Sequence, residues 1–119
     1  MTQLEGFVEK GWGHENIFAT NEKYCGKLLV FKRGAKSSMH FHMVKDETWY
    51  VHSGRFQLVT IDMRDSSRTT VILEAGSVVR LVPMVPHQVT CLRAGTIFEV
   101  STPDSVEDNY RIAPGDSQR

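Results

Sequence analysis

Two histidines separated by a single residue, His40 and His42, are the first feature of this sequence that could do chemistry. Side chains alternate between the faces of an extended strand, so both imidazoles would point one way and Phe41 the other. One strand thus offers two nitrogen donors to a single ion. Glu47 follows far enough on for the chain to bend and place a carboxylate at the mouth of a second strand, Thr48 to Val51. A third imidazole, His87, is available far downstream. Three neutral imidazoles and one carboxylate suit a divalent transition ion such as Mn, Fe, Ni, Co or Zn, and in octahedral coordination they leave two positions for water or substrate.

The elements that must position these groups are short. Turn signals recur at Gly26, Gly34-Ala35, Lys45-Asp46, Ser53-Gly54, Arg64 to Ser67, Ala75-Gly76, Pro83 to Pro86 and Ala94-Gly95. Between them lie β-branched and aromatic runs at 27–33, 37–42, 48–52, 56–63, 69–73, 77–82, 88–92 and 96–101. Many short strands without a helical period predict an all-β sandwich or small barrel. Parity then sorts the neighbours of the site. Lys36 shares the face of His40 and His42. Trp49 shares the face of Glu47 and should wall the cavity, whereas His52 falls on the opposite face. Cys91 shares the face of His87, which would aim its sulfur toward the same cavity, although a small buried hydrophobe is its ordinary reading. Glu99 stands mid-strand between Phe98 and Val100, an apolar setting in which a carboxylate needs a partner or a role. It is either a proton carrier whose pKa burial raises or one half of a salt link to Arg111.

The spacing Gly34-x5-His40-x-His42-x4-Glu47-x6-Gly54 resembles, at every fixed position, the first motif of the cupin superfamily. Gly76 and His87 resemble the second motif more loosely, with Val82, Met84 and Cys91 where a Pro, a Gly and an Asn are usual. The resemblance implies a double-stranded β-helix, or jelly-roll barrel, that holds the ion near one end. A Trp12-Gly13 entry and the closing segments Ser101-Thr102-Pro103 and Glu107-Asp108-x-x-Arg111 are similar to the C-terminal domain of type II mannose-6-phosphate isomerases. That likeness implies a metal-dependent isomerase or epimerase of a sugar or sugar phosphate, with His40, His42, Glu47 and His87 on the ion. Lys36, Arg80 and Arg111 would then be candidates for the phosphate, and Glu99 or Arg111 would assist proton movement. Two other classes stay open. One is a metal-dependent dioxygenase or lyase, since the same donor set holding Fe or Ni can bind O2. The other is a non-catalytic module that binds a small metabolite.

Length and composition set the bounds. The 119 residues leave room for one domain, 1–119, which should bury roughly 65% of the surface of its unfolded chain. Lys and Arg number 14, as do Asp and Glu, so no bulk field draws nucleic acid or an acidic membrane. No run approaches a membrane span or a signal peptide, and a cytoplasmic protein is expected. In a reducing compartment Cys25 and Cys91 should be free thiols. The run Phe56 to Met63 is apolar on both faces, so it is either central in a sheet or covered by a second copy; a homodimer is expected.

Overall fold

The computed structural model of the protein describes residues 6–118. Eleven strands succeed one another among them: β1 (Gly6–Lys10), β2 (Gly13–Thr20), β3 (Cys25–Phe31), β4 (Met39–Phe41), β5 (Glu47–Val51), β6 (Arg55–Ile61), β7 (Arg68–Glu74), β8 (Val78–Leu81), β9 (His87–Arg93), β10 (Gly95–Ser101) and β11 (Tyr110–Ala113). A single 3-10 turn, Asp116–Gln118, follows. The strands form two antiparallel sheets, ordered β1-β2-β3-β10-β5-β8 and β11-β4-β9-β6-β7. This is the all-β architecture that the turn spacing predicts, arranged as the jelly roll that the cupin resemblance implies.

The eight expected strands all form. β1, β2 and β11 are additional, and they escaped the sequence pattern because they bury little: β11 is exposed throughout and most of β1 is exposed. Their backbones are satisfied by pairing along β2, β3 and β4 rather than by an apolar face. The run 56–63 lies between β9 and β7, with Phe56 and Leu58 turned into the core. Both cysteines are buried free thiols.

Alternation decides what each strand sends inward, and it produces an interior with two ends. β5 contributes Glu47, Trp49 and Val51, β9 contributes His87, Val89 and Cys91, and β10 contributes Ile97, Glu99 and Ser101. β3 adds Lys27, Leu29 and Phe31. Register then stacks like with like. Glu99 lies opposite Trp49 on one side and Lys27 on the other, while Ile97 lies opposite Val51 and Leu29. One end of the barrel is therefore hydrocarbon, including Phe31, Val51, Phe56 and Ile97, and the other end is ionic. The apolar end supplies the burial that stabilises the fold, at about 25 cal/mol per Å² of apolar surface. The polar end is available for a site.

Two tight turns bound the sheets, one beyond the hydrocarbon end and one beside the histidines. Gly54, between β5 and β6, has φ +88, and a Cβ there would stand 2.6 Å from the Arg93 carbonyl oxygen, so no other residue fits without a shift. Before His87, Met84 adopts φ 72, the left-handed conformation in which the cupin pattern has its glycine. The altered turn thus keeps its shape with a side chain that resists it.

Candidate metal centre

β4 and β9 bring the imidazoles together. His40 lies directly opposite His87 in the sheet, and the ligating nitrogens of His40, His42 and His87 all lie within 4.8 Å of one another. The Glu47 carboxylate reaches the same point from the facing sheet, with Oε2 3.3 Å from His42 Nε2 and 3.9 Å from His87 Nε2. Each ring is fixed through its other nitrogen. Nδ1–H of His40 donates to the Ser38 carbonyl at 2.9 Å, that of His42 to Asp108 O at 2.6 Å, and that of His87 to Val85 O at 3.0 Å. A carbonyl can only accept, so these contacts favour Nδ1–H in each neutral ring, with the Ser38 hydroxyl also 3.0 Å from His40 Nδ1, and Nε2 then presents a lone pair. Metal-bound histidines are held in this way.

The lone pairs have nothing to meet. His87 Nε2 and Glu47 Oε2 are buried without a hydrogen-bond partner, and two acceptors facing each other repel. A cation between them would remove the conflict. Without one, a proton on His42 does so: burial acts against the charged ring, but the contact with Glu47 and the Asp108 carbonyl outweigh it, so its pKa is raised. Burial, then the nearby His87, lowers the His40 pKa to about 3, and burial lowers that of His87. Burial pushes the Glu47 carboxyl up, yet His42 and Lys45 prevail and hold it below the carboxylate range. The donor set, its uniform tautomer and its unpartnered atoms all fit a divalent ion. Two or three histidines with a carboxylate are also a common set for such ions.

Behind the ligands lies a buried ionic network that the sequence did not reveal. Lys45 Nζ sits 3.0 Å from Glu99 Oε2, 3.2 Å from Asp104 Oδ1 and 4.0 Å from Glu47 Oε2. Lys27 Nζ is 2.6 Å from Asp104 Oδ2 and 3.4 Å from Glu15 Oε1. Four carboxylates thus face two ammonium groups, an excess of negative charge that a divalent cation would offset. Burial, and then the charge of Glu47, raise the Glu99 pKa to about 7. Desolvation acts against the charged form of Lys45, but the surrounding carboxylates keep its pKa above the ordinary value.

A cavity of about 370 Å³ opens beside these groups, walled by Trp12, Phe31 and Trp49 on its apolar side and by His40, Glu99 and Arg111 among its polar ones. The protein thus has a three-histidine candidate metal site at the polar end of the two-sheet jelly roll. The sequence profile described as a cupin domain matches residues 27–100, more than half of the chain. The chain belongs to the cupin family.

The fold of this cupin is shared with solved structures of low sequence identity. It superposes on oxalate decarboxylase from Bacillus subtilis with a TM-score of 0.77 and 17% identity over 90% of this chain and 30% of that one. For an RmlC-like cupin from Shewanella frigidimarina the TM-score is 0.72 with 23% identity over 88% of each chain. KdgF from Halomonas sp. gives 0.65 with 19% identity over 79% of this cupin and 81% of the other. The chain spans under a third of the oxalate decarboxylase, a protein with Mn(II) centers. No curated protein matches the sequence.

Of the residues singled out in the sequence, His40, His42, Glu47, Trp49, Glu99 and Arg111 line the cavity of this cupin, and His87 closes its ligand cluster. Arg111 lies opposite His40 in the β11–β4 pair and therefore projects to the same side. Glu99 finds its cation in Lys45, where a salt link to Arg111 was one expectation. Lys36 lies outside the residues lining the cavity: β4 starts only at Met39, so strand parity does not extend back to it. Arg80 is also outside them, forking onto Asp46 at 3.1 and 2.5 Å. Cys91 belongs to the hydrocarbon end and its thiol donates to Arg93 O. Sequence reasoning missed Lys45, Lys27, Asp104 and Asp108. Lys45-Asp46 reads as a turn, and only the single lysine on inward parity in β3 could have signalled Lys27.

Proposed function

We propose that this cupin is a divalent-metal-dependent isomerase or epimerase of a small sugar or sugar phosphate, with His40, His42, Glu47 and His87 as the ligands. The observation that carries the reading is the pairing, within one cavity, of a convergent set of unprotonated donors with a buried carboxyl whose pKa lies near 7. A bound ion would act as a Lewis acid toward the oxygens of a hydroxy-carbonyl substrate. Glu99, poised close to working pH, takes a proton from the substrate carbon beside the carbonyl and returns it to the neighbouring carbon. Lys45 holds the carboxylate form of Glu99 in place at 3.0 Å. Arg111, exposed at the cavity wall and on the His40 side, meets the anionic end of the substrate. Trp12, Phe31 and Trp49 exclude water along the apolar wall.

Incubation of the metal-loaded protein with aldoses, ketoses and their phosphates in D2O tests the reading. Isomerisation or epimerisation with solvent deuterium entering carbon is expected, and E99Q should abolish it while keeping the metal. Oxygen uptake without deuterium exchange would assign a dioxygenase instead, and tight binding without turnover would leave a binding module. We also read the protein as a homodimer. Tyr50, Val78 and Phe98 are exposed and adjacent across β8, β5 and β10, an apolar row on the outer face that a second copy would cover. Light scattering at micromolar concentration decides this point.

A further inference from the structure

The family match ends at residue 100, yet the chain beyond it is attached to both flanks of the histidine strand. On one flank, Asp116 N–H donates to Lys36 O at 2.9 Å and its carboxylate accepts from Lys36 N–H at 2.8 Å. Gly115 is pressed so closely on the Ser37–Ser38 backbone that a Cβ would stand 2.2 Å from Ser37 C. On the other flank, the Asp108 carboxylate accepts three successive backbone N–H groups, from Met43 at 2.7 Å, Val44 at 3.2 Å and Lys45 at 3.0 Å. Desolvation would raise the Asp108 pKa, but these donors hold it down. The carbonyl of the same residue accepts the His42 Nδ1–H at 2.6 Å.

We propose that Asp108 is a positioning residue of the metal centre: its carboxylate pins the 43–45 loop, so that its own carbonyl fixes the orientation and tautomer of His42. The inference rests on the metal reading above. One side chain thereby governs three groups of the site. It orients the His42 ring, sets the start of the loop that delivers Lys45, and fixes the approach of the chain to Glu47 two residues later. Met84 N–H holds the His42 carbonyl from the opposite side at 2.7 Å, so the ring becomes the free variable once Asp108 is removed. Partners that orient a ligand in this way commonly change metal affinity 10- to 100-fold when lost.

The test uses the full chain, with Zn2+ as the probe, and compares wild type, D108A, D108N and, as an exposed neighbour outside the site, E107A. Affinity is read by competition with a chromophoric chelator. The His42 tautomer is read in the metal-free protein by 15N NMR of the imidazoles, above the pH at which the ring titrates. Wild type and E107A should show the Nδ1–H tautomer and equal affinity. D108A should bind Zn2+ about 10- to 100-fold more weakly with His42 averaging between tautomers, and D108N, which keeps one acceptor oxygen, should fall between them. Should D108A not fold, D108N carries the comparison alone. Affinity within threefold of wild type in the folded variants, with the His42 tautomer unchanged, overturns the proposal. A wild type that binds no Zn2+ would instead count against the metal reading, and the tautomer measurement would still decide the role of Asp108.

Discussion

The indole N–H of Trp49 donates to Glu47 Oε1 across 2.7 Å, two residues apart on one strand. The same nitrogen stands 3.3 Å from Glu99 Oε1, so a single donor orients a candidate metal ligand and touches the candidate proton carrier. Because Oε1 is engaged in this way, Oε2 is the oxygen left facing the imidazoles. The tryptophan thus links the candidate ligand to the candidate proton carrier.

Replacing Trp49 by Phe preserves most of the aromatic wall and removes that donor. Metal affinity should fall by about 10- to 100-fold, since the Glu47 carboxylate loses its fixed orientation. Calorimetric titration of the apo protein with Mn2+ checks this. Unchanged affinity would mean that Oε2 is directed by something other than the indole.

His42→Ala and His87→Ala each remove a donor outright. Affinity should drop by more than the loss of an orienting partner, about 100-fold or beyond. Circular dichroism should still report a β protein, because the hydrocarbon end of the barrel does not involve the site. Metal contents equal to wild type after dialysis would contradict the ligand assignment.

Acid should destabilise the metal-free protein through the buried imidazoles. His40, with a folded pKa of about 3, and His87, also lowered, both titrate near 6.5 when unfolded. Below pH 6.5 the unfolded chain takes up protons that the folded one refuses, so stability present above 6.5 is lost as pH falls. Glu99 acts in the opposite sense. Its folded pKa of about 7 exceeds its ordinary 4.5, and its contribution is full below 4.5 and lost as pH rises through 7. Between 4.5 and 6.5 the two imidazoles oppose one carboxyl, so the balance is a net loss of stability on acidification. Urea unfolding of chelator-treated protein at pH 6.5 and pH 5 measures it, and equal midpoints at the two values would refute the buried-imidazole account. Divalent metal should steepen the dependence, since protons compete for the same nitrogens.

Met84→Gly should stabilise the protein by up to about 1 kcal/mol. A side chain in the left-handed region costs roughly 1–2 kcal/mol, and the added freedom of glycine in the unfolded chain takes back part of the gain. Thermal unfolding of the two proteins in the same buffer gives the sign. A lower midpoint for the glycine variant would show that the Met84 side chain, 42% exposed, contributes packing that offsets its strain.

The sequence by itself determined the ligand-bearing strands. Alternation is a local property, so His40 with His42, Glu47 with Trp49, and His87 with Val89 could be assigned to common faces before any contact was known. Turn residues marked most of the strand boundaries for the same reason. Tertiary structure decided the rest. β1, β2 and β11 exist through pairing with neighbours, and none of their own residues is fully buried. The cation beside Glu99 is Lys45, a residue whose local context reads as a turn, because loop closure between β4 and β5 brings it inward. Lys36 lost its expected parity where the strand had not yet begun. Asp108, far along the chain from His42, reaches it only because β11 lies against β4. Periodicity reports which way a side chain points; only the closure of the barrel determines what it meets there.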